Sequence, residues 1–144
     1  MNEITLRYTF IGDTEVGKTS LLHKINSNEF QNFDKTIGIN NIYTDIVIND
    51  TKIKIFIWDT AGDKRFQSIC THFYKNIMVI FVVFDLTNKS SFENIYYWMN
   101  EAKHYCSPET QIVIIGTKSD LLNDKQVSDA DINNFVIQTK IIYY

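Results

Sequence analysis

Gly12-Asp13-Thr14-Glu15-Val16-Gly17-Lys18-Thr19 stands between the apolar alternating stretch Ile4 to Ile11 and an amphipathic stretch with Leu21, Leu22 and Ile25 at helical spacing. Strand, tight loop and helix in that order fit G-x-x-x-x-G-K-[ST], and each residue type has a physical reason. The glycines let the backbone curl so that its N–H groups face phosphate oxygens, and the following helix adds the positive end of its dipole. Lys18 is placed to reach β- and γ-phosphates and Thr19 to offer a hydroxyl to Mg²⁺, while Thr14, Glu15, Val16 and Ser20 complete the loop.

Working outward, Tyr43 to Ile48 and Lys52 to Trp58 read as a hairpin around Asn49-Asp50. Ile77 to Phe84 is apolar throughout, which predicts a strand covered on both faces. Phe92, Ile95, Trp98, Met99 and Ala102 recur at helical spacing, so Trp98 and its neighbours are expected in the core. Ile112 to Ile115 predicts another buried strand, Asp129 to Gln138 a last helix, and Ile141 to Tyr144 the beginning of one more strand. Strands alternating with helices predict an α/β fold: a mostly parallel sheet with one antiparallel edge strand and helices on both faces, its ligand at the strand C-terminal ends. No repeat or linker interrupts residues 1–144, which reads as a single domain.

Composition narrows the partners. The 144 residues are 44% hydrophobic and 22% charged, enough for a real core, and the net charge of -3 carries no basic block. That balance predicts no nucleic-acid partner and no anionic membrane surface. Cys70 and Cys106 lack metal or redox spacing and read as neutral thiols in a reducing cytosol; His23, His72 and His104 read as ordinary core or surface residues. The start lacks a secretory pattern, and the longest apolar run, Ile77 to Phe84, falls far below the ~18 residues that span a bilayer. A cytoplasmic protein is the expectation.

The five glycines, Gly12, Gly17, Gly38, Gly62 and Gly116, each lie in or beside a candidate nucleotide motif. Trp58-Asp59-Thr60-Ala61-Gly62 closes a strand with an acid that can hold Mg²⁺ through water and a glycine amide that can meet a γ-phosphate. Thr36, in the polar stretch Asn26 to Asn40, could complete the Mg²⁺ shell. Gly116-Thr117-Lys118-Ser119-Asp120 follows an apolar run, and a carboxylate there can accept two hydrogen bonds from guanine, whereas adenine offers no matching donors. The Lys118 stem can lie across the base.

These residues resemble the Ras superfamily of small GTP-binding proteins, and within it the Rab branch, over nearly the whole chain. The resemblance is carried by Thr36-Ile37-Gly38-Ile39, Lys54 to Gly62, Arg65-Phe66-Gln67-Ser68-Ile69, Phe73-Tyr74-Lys75-Asn76 and Phe84-Asp85-Leu86-Thr87. It implies a monomeric, Mg²⁺-dependent GTP/GDP switch acting in vesicle trafficking, with activating proteins, exchange factors and effectors as partners. It further implies that Thr36 and Gly62 hold the γ-phosphate state and that Phe30 packs on the guanine edge.

Departures from the family pattern bear on catalysis. Asp63 stands where the family carries the glutamine that orients the attacking water; an anionic, shorter side chain beside the γ-phosphate predicts slow intrinsic hydrolysis. The resemblance implies activating proteins that supply an arginine and a glutamine in trans, so hydrolysis is expected to survive with a partner. Glu15 and Thr14 replace small residues of the loop, the interval from Lys18 to Thr36 is one residue short, and Thr117 stands where asparagine is commoner. Of the aromatic triad that Rab effectors read, Trp58 and Phe73 are present and Asn41 takes the first place. The family's S-A-K-like loop, final helix and prenylated cysteines have no counterpart before Tyr144, so the G domain is expected to be C-terminally incomplete, with membrane association only through partners or a further segment. The competing reading is a non-catalytic pseudo-GTPase that competes for Rab regulators or effectors; a phosphate-loop ATPase or kinase would leave Thr117 to Asp120 and Trp58 to Gly62 as coincidences.

Overall fold

Two residues that accept a left-handed backbone set the first corner of the fold. Asn49 (φ 46°) and Asp50 (φ 58°) form a turn of the type that matches strand twist, and both tolerate this conformation through their short polar side chains. The turn joins β2 (Ile39–Ile48) to β3 (Thr51–Thr60) as an antiparallel pair with Ile48 opposite Thr51. The computed structural model describes residues 2–27, 39–62 and 76–144. Within them the order is β1 (Asn2–Ile11), α1 (Lys18–Ser27), β2, β3, β4 (Val79–Asp85), α2 (Lys89–Glu93), α3 (Ile95–Tyr105), β5 (Gln111–Thr117), a 3₁₀ turn at Leu122–Asp124, α4 (Asp129–Thr139) and β6 (Ile142–Tyr143).

The sheet is six-stranded in the order β2-β3-β1-β4-β5-β6, and every pairing except β2 with β3 is parallel. This is the expected mostly parallel α/β sheet with one antiparallel edge strand. Among the described residues each face carries its own buried cluster. On one face Ile80, Val82 and Phe84 of β4 meet Ile95, Trp98, Met99 and Ala102 of α3 and Ile132 and Phe135 of α4. The α3 residues recur at i, i+3, i+4 and i+7, and burying each large apolar side chain contributes about 1.5–3 kcal/mol. On the other face Phe10, Leu22, Ile57 and Val83 are buried, with Tyr8, Phe81 and Ile115 only partly so.

Two expectations need correction. The strand read from Ile77 to Phe84 begins at Val79; it is covered on both faces as expected, with Ile80, Val82 and Phe84 buried on one and Val83 on the other, beside the half-buried Val79 and Phe81. The single helix read through Phe92 and Ala102 is two. Asn88 caps α2 through Ser91 N, and Asn94 (φ -71°, ψ -6°) separates it from α3 while staying near helical geometry, which is why the apolar period runs on undisturbed. The last helix begins where expected, with a reciprocal cap: Asp131 N donates to Ser128 Oγ (3.1 Å) and Ser128 N to Asp131 Oδ2 (3.1 Å). The Ser128 hydroxyl (2.8 Å) and then its backbone N–H, both donating to Asp131 Oδ2, hold that carboxyl below its ordinary range. Cys106 is a free thiol pushed up to about 11 by burial, as a neutral thiol should be; Cys70 lies outside the described residues.

Candidate functional site

The parallel strands β1 and β3 deliver their C-terminal ends side by side, Phe10 opposite Asp59. Two threonines tie them there: Thr9 Oγ1 donates to Trp58 O (3.2 Å) and Thr60 Oγ1 to Phe10 O (2.8 Å). From this pinned edge the loop Gly12 to Gly17 turns into α1, whose first bonds include Leu21 N to Gly17 O at 2.9 Å. Gly12 (φ 143°) has no room for a side chain, since a Cβ would sit 2.2 Å from Val83 O. Glu15 adopts φ 63°, a left-handed conformation that costs a non-glycine residue roughly 1–2 kcal/mol.

Lys18 is buried, and its Nζ donates to Gly12 O (2.9 Å) and Asp13 O (2.6 Å), so the ammonium lies inside the curl of the loop. Thr19 Oγ1 donates to Asp59 Oδ2 at 2.5 Å, joining the first turn of α1 to the end of β3. A hydroxyl and a carboxylate brought together are hard oxygen donors of the kind Mg²⁺ prefers, so these residues fit that ion. Gly62 abuts the loop so closely that a Cβ would lie 2.3 Å from the Asp13 carbonyl carbon and 2.4 Å from Thr14 N. Thr14 and Glu15 are exposed, Ser20 is half-buried, and Val16 is buried in the core, so Val16 offers only its backbone to the loop.

The strand β5 brings the second motif alongside. Thr117 Oγ1 lies 2.5 Å from Val16 O and 3.0 Å from Phe84 O, linking β5 to the glycine loop and to β4 with one hydroxyl. Lys118 follows in a left-handed conformation (φ 59°), and its Nζ lies 2.6 Å from Asp85 Oδ2. The other oxygen of the buried Asp85 carboxylate accepts from Thr87 N (2.8 Å) and Thr87 Oγ1 (2.7 Å). Asp120 is exposed beyond this group. Phe30, Thr36 and Asp63, with Gly38 and Phe73, lie outside the described residues.

Asp13 was no part of the sequence-derived site. Its Oδ2 accepts from Asn94 Nδ2 (2.7 Å) and its Oδ1 from Trp98 Nε1 (2.7 Å), both from the α2–α3 region more than eighty residues away, sequence separations of 81 and 85. One signal could have found it: a buried tryptophan needs an acceptor for its N–H.

A phosphate-type loop between β1 and α1, an acid-threonine-alanine-glycine end to β3 and a lysine–aspartate turn after β5, on a mostly parallel sheet, define an α/β domain of the small GTP-binding type. The Ras family model matches residues 7–144, and the chain belongs to that family. Rab proteins are among its relatives. It is 38% identical over 122 residues to Ras-related protein RABA6b of Arabidopsis thaliana, covering 84% of this chain and 53% of the relative. It is 34% identical over 143 residues to Ras-related protein Rab-2B of Dictyostelium discoideum, covering 99% and 71%. Against Ras-related protein Rab-8B of Homo sapiens the identity is 41% over 119 residues, covering 82% and 58%. The chain thus spans about half the length of the two Arabidopsis relatives, 53% and 52%. Among the described residues no helix is long and apolar enough to cross a membrane.

Proposed function

We propose that this chain is a Rab-like, Mg²⁺-dependent guanine-nucleotide switch of vesicle trafficking whose intrinsic GTP hydrolysis is slow. The observation that carries the reading is the convergence of Lys18, the Thr19–Asp59 pair, Gly62 and Thr117 on one glycine loop. Arriving phosphates would exchange with the Gly12 and Asp13 carbonyls as partners of Lys18, a swap of neutral acceptors for charged ones that favours binding. The loop N–H groups from Thr14 to Thr19 cradle the phosphate oxygens, with Ser20 beside them. Thr19, Thr36 and Asp59 would hold Mg²⁺, whose charge would offset that of the phosphates. Gly62 offers its amide to the γ-phosphate, Phe30 packs on the base edge, Lys118 covers the base and Asp120 reads guanine.

Asp63 is the residue on which hydrolysis turns. A carboxylate cannot donate as an amide does, and its charge opposes the γ-phosphate, so water is poorly oriented without a partner. Single-turnover phosphate release should be about tenfold or more faster in Asp63→Gln than in wild type; equal rates would remove the defect. The binding claim is tested by titrating GDP, GTP and ATP with and without Mg²⁺. Both guanine nucleotides should bind, more tightly with Mg²⁺, and ATP should not; failure of both guanine nucleotides overturns the reading. Regulators and effectors would act on this cycle. A pseudo-GTPase is the second reading, favoured by the anionic, left-handed Glu15 in the loop, and GTP binding with no phosphate release even in Asp63→Gln would select it.

A further inference from the structure

We infer that Asp13 is a positioning residue that latches the phosphate loop to α3, so that nucleotide residence depends on a carboxylate that does not touch the nucleotide. The inference rests on the nucleotide-binding reading above and adds a residue to it. The main chain of Asp13 sits at the centre of the loop: its carbonyl accepts from Lys18 Nζ at 2.6 Å, and its carbonyl carbon lies where a Cβ on Gly62 would collide at 2.3 Å. Its side chain points the other way. Trp98 Nε1 and Asn94 Nδ2 each donate to a separate carboxylate oxygen at 2.7 Å.

Those donors are themselves fixed. Trp98 is 2% exposed and packed in the larger core cluster, and Asn94 is the cap shared by α2 and α3, its N–H donating to Ser90 O (3.0 Å) and its carbonyl accepting from Trp98 N (3.2 Å). A carboxylate that accepts from two such groups anchors the loop at a defined distance from a rigid helix, because neither donor can follow the loop if it opens. The loop backbone is the part that must face the phosphates, so the cost of losing the latch appears as loop opening and faster nucleotide escape. Conversely, phosphates that draw on the loop alter the field at the Trp98 indole.

The test is dissociation of a fluorescent GDP analogue from the Mg²⁺-loaded protein, read beside thermal stability. Asp13→Ala removes both charge-assisted hydrogen bonds and should raise the off-rate about tenfold or more. Asp13→Asn should restore it to within about threefold, since its carbonyl can accept from Trp98 and its amide can donate to a turned Asn94. Trp98→Phe should raise the off-rate by a smaller factor, and the double variant with Asp13→Ala should be no faster than Asp13→Ala alone. Ile132→Val, a core change distant from the loop in sequence and buried at 2% exposure, should lower stability without moving the off-rate. In wild type the indole N–H resonance lost in Trp98→Phe should shift on adding GDP. Should Asp13→Ala fail to fold, Trp98→Phe and this resonance decide. If wild type binds GDP while Asp13→Ala and Trp98→Phe leave the off-rate within twofold, or the indole resonance stays fixed, the latch is refuted and the switch reading stands. If wild type binds no guanine nucleotide, both fall.

Discussion

The two ends of the candidate site, the glycine loop proposed to take the phosphates and the turn after β5 proposed to take the base, are built by different means. At the phosphate end the shape is made by the backbone: Gly12 and Gly62 sit where any side chain would strike main-chain atoms at 2.2 and 2.3 Å, and buried threonines tie the strand ends beneath them. At the base end the shape is made by side chains: Lys118 is held by the Asp85 carboxylate, while Asp120 is exposed and carries no part of the core. The phosphate end therefore couples stability to function, because its geometry is part of the fold. The base end separates them.

The largest effect that would break this contrast belongs to Gly12→Ala. A Cβ against Val83 O at 2.2 Å, on a backbone with φ 143°, should cost about 3 kcal/mol or more and lower the melting temperature by roughly 10 °C. Denaturation beside GDP titration should show both lost together; an unchanged stability would sink the claim that backbone geometry rules this end.

Asp120→Asn should do the reverse. Replacing one acceptor oxygen by a donor amide is expected to weaken GDP binding by about a hundredfold or more. Because the residue is exposed, unfolding free energy should stay within about 0.5 kcal/mol of wild type. A variant that binds GDP normally would show that guanine is read elsewhere.

Asp85→Asn sharpens the comparison by removing the charge that holds Lys118 while keeping the size of the side chain. The buried carboxylate has Lys118 as its cationic partner and Thr87 as its hydrogen-bond donor. The expected result is about tenfold weaker GDP binding, from a lysine no longer fixed over the base. Identical affinities in calorimetry would make the ion pair irrelevant to recognition.

Smallest, and opposite in sign, is Glu15→Gly. It removes a left-handed strain at φ 63° and a negative charge from the loop proposed to take the phosphates. Stability should rise by about 1 kcal/mol and GDP affinity by several-fold. A loss of either would mean that Glu15 contributes to the loop rather than burdening it.

Much of this contrast was legible in the residues themselves. The phosphate end could be read because glycine at Gly12 and Gly62 is the visible trace of a backbone requirement, and alternation from Ile4 to Ile11 predicted the strand that delivers it. The hairpin was legible for the same reason, through Asn49 and Asp50. The base end was harder. Nothing in lysine announces a left-handed Lys118, and the Asp85 pair joins residues that no local pattern connects. Trp98 shows the limit most clearly: periodicity correctly buried its ring, yet periodicity is blind to the one polar atom that ring carries, and that atom found Asp13. The split at Asn94 escaped because a residue near helical geometry keeps the apolar period intact. The start of β4 was misplaced because an unbroken apolar run marks burial without marking where hydrogen-bonded pairing begins.

The central claim is that the glycine loop and Asp120 together form a guanine-nucleotide site. Competition of GDP and ADP for wild-type protein in the presence of Mg²⁺ tests it most directly, since both ligands carry the same diphosphate and differ in the base. The account predicts that GDP displaces a bound fluorescent GDP analogue at concentrations at least about a hundredfold below those of ADP. Equal displacement by the two, or none by GDP, would contradict it.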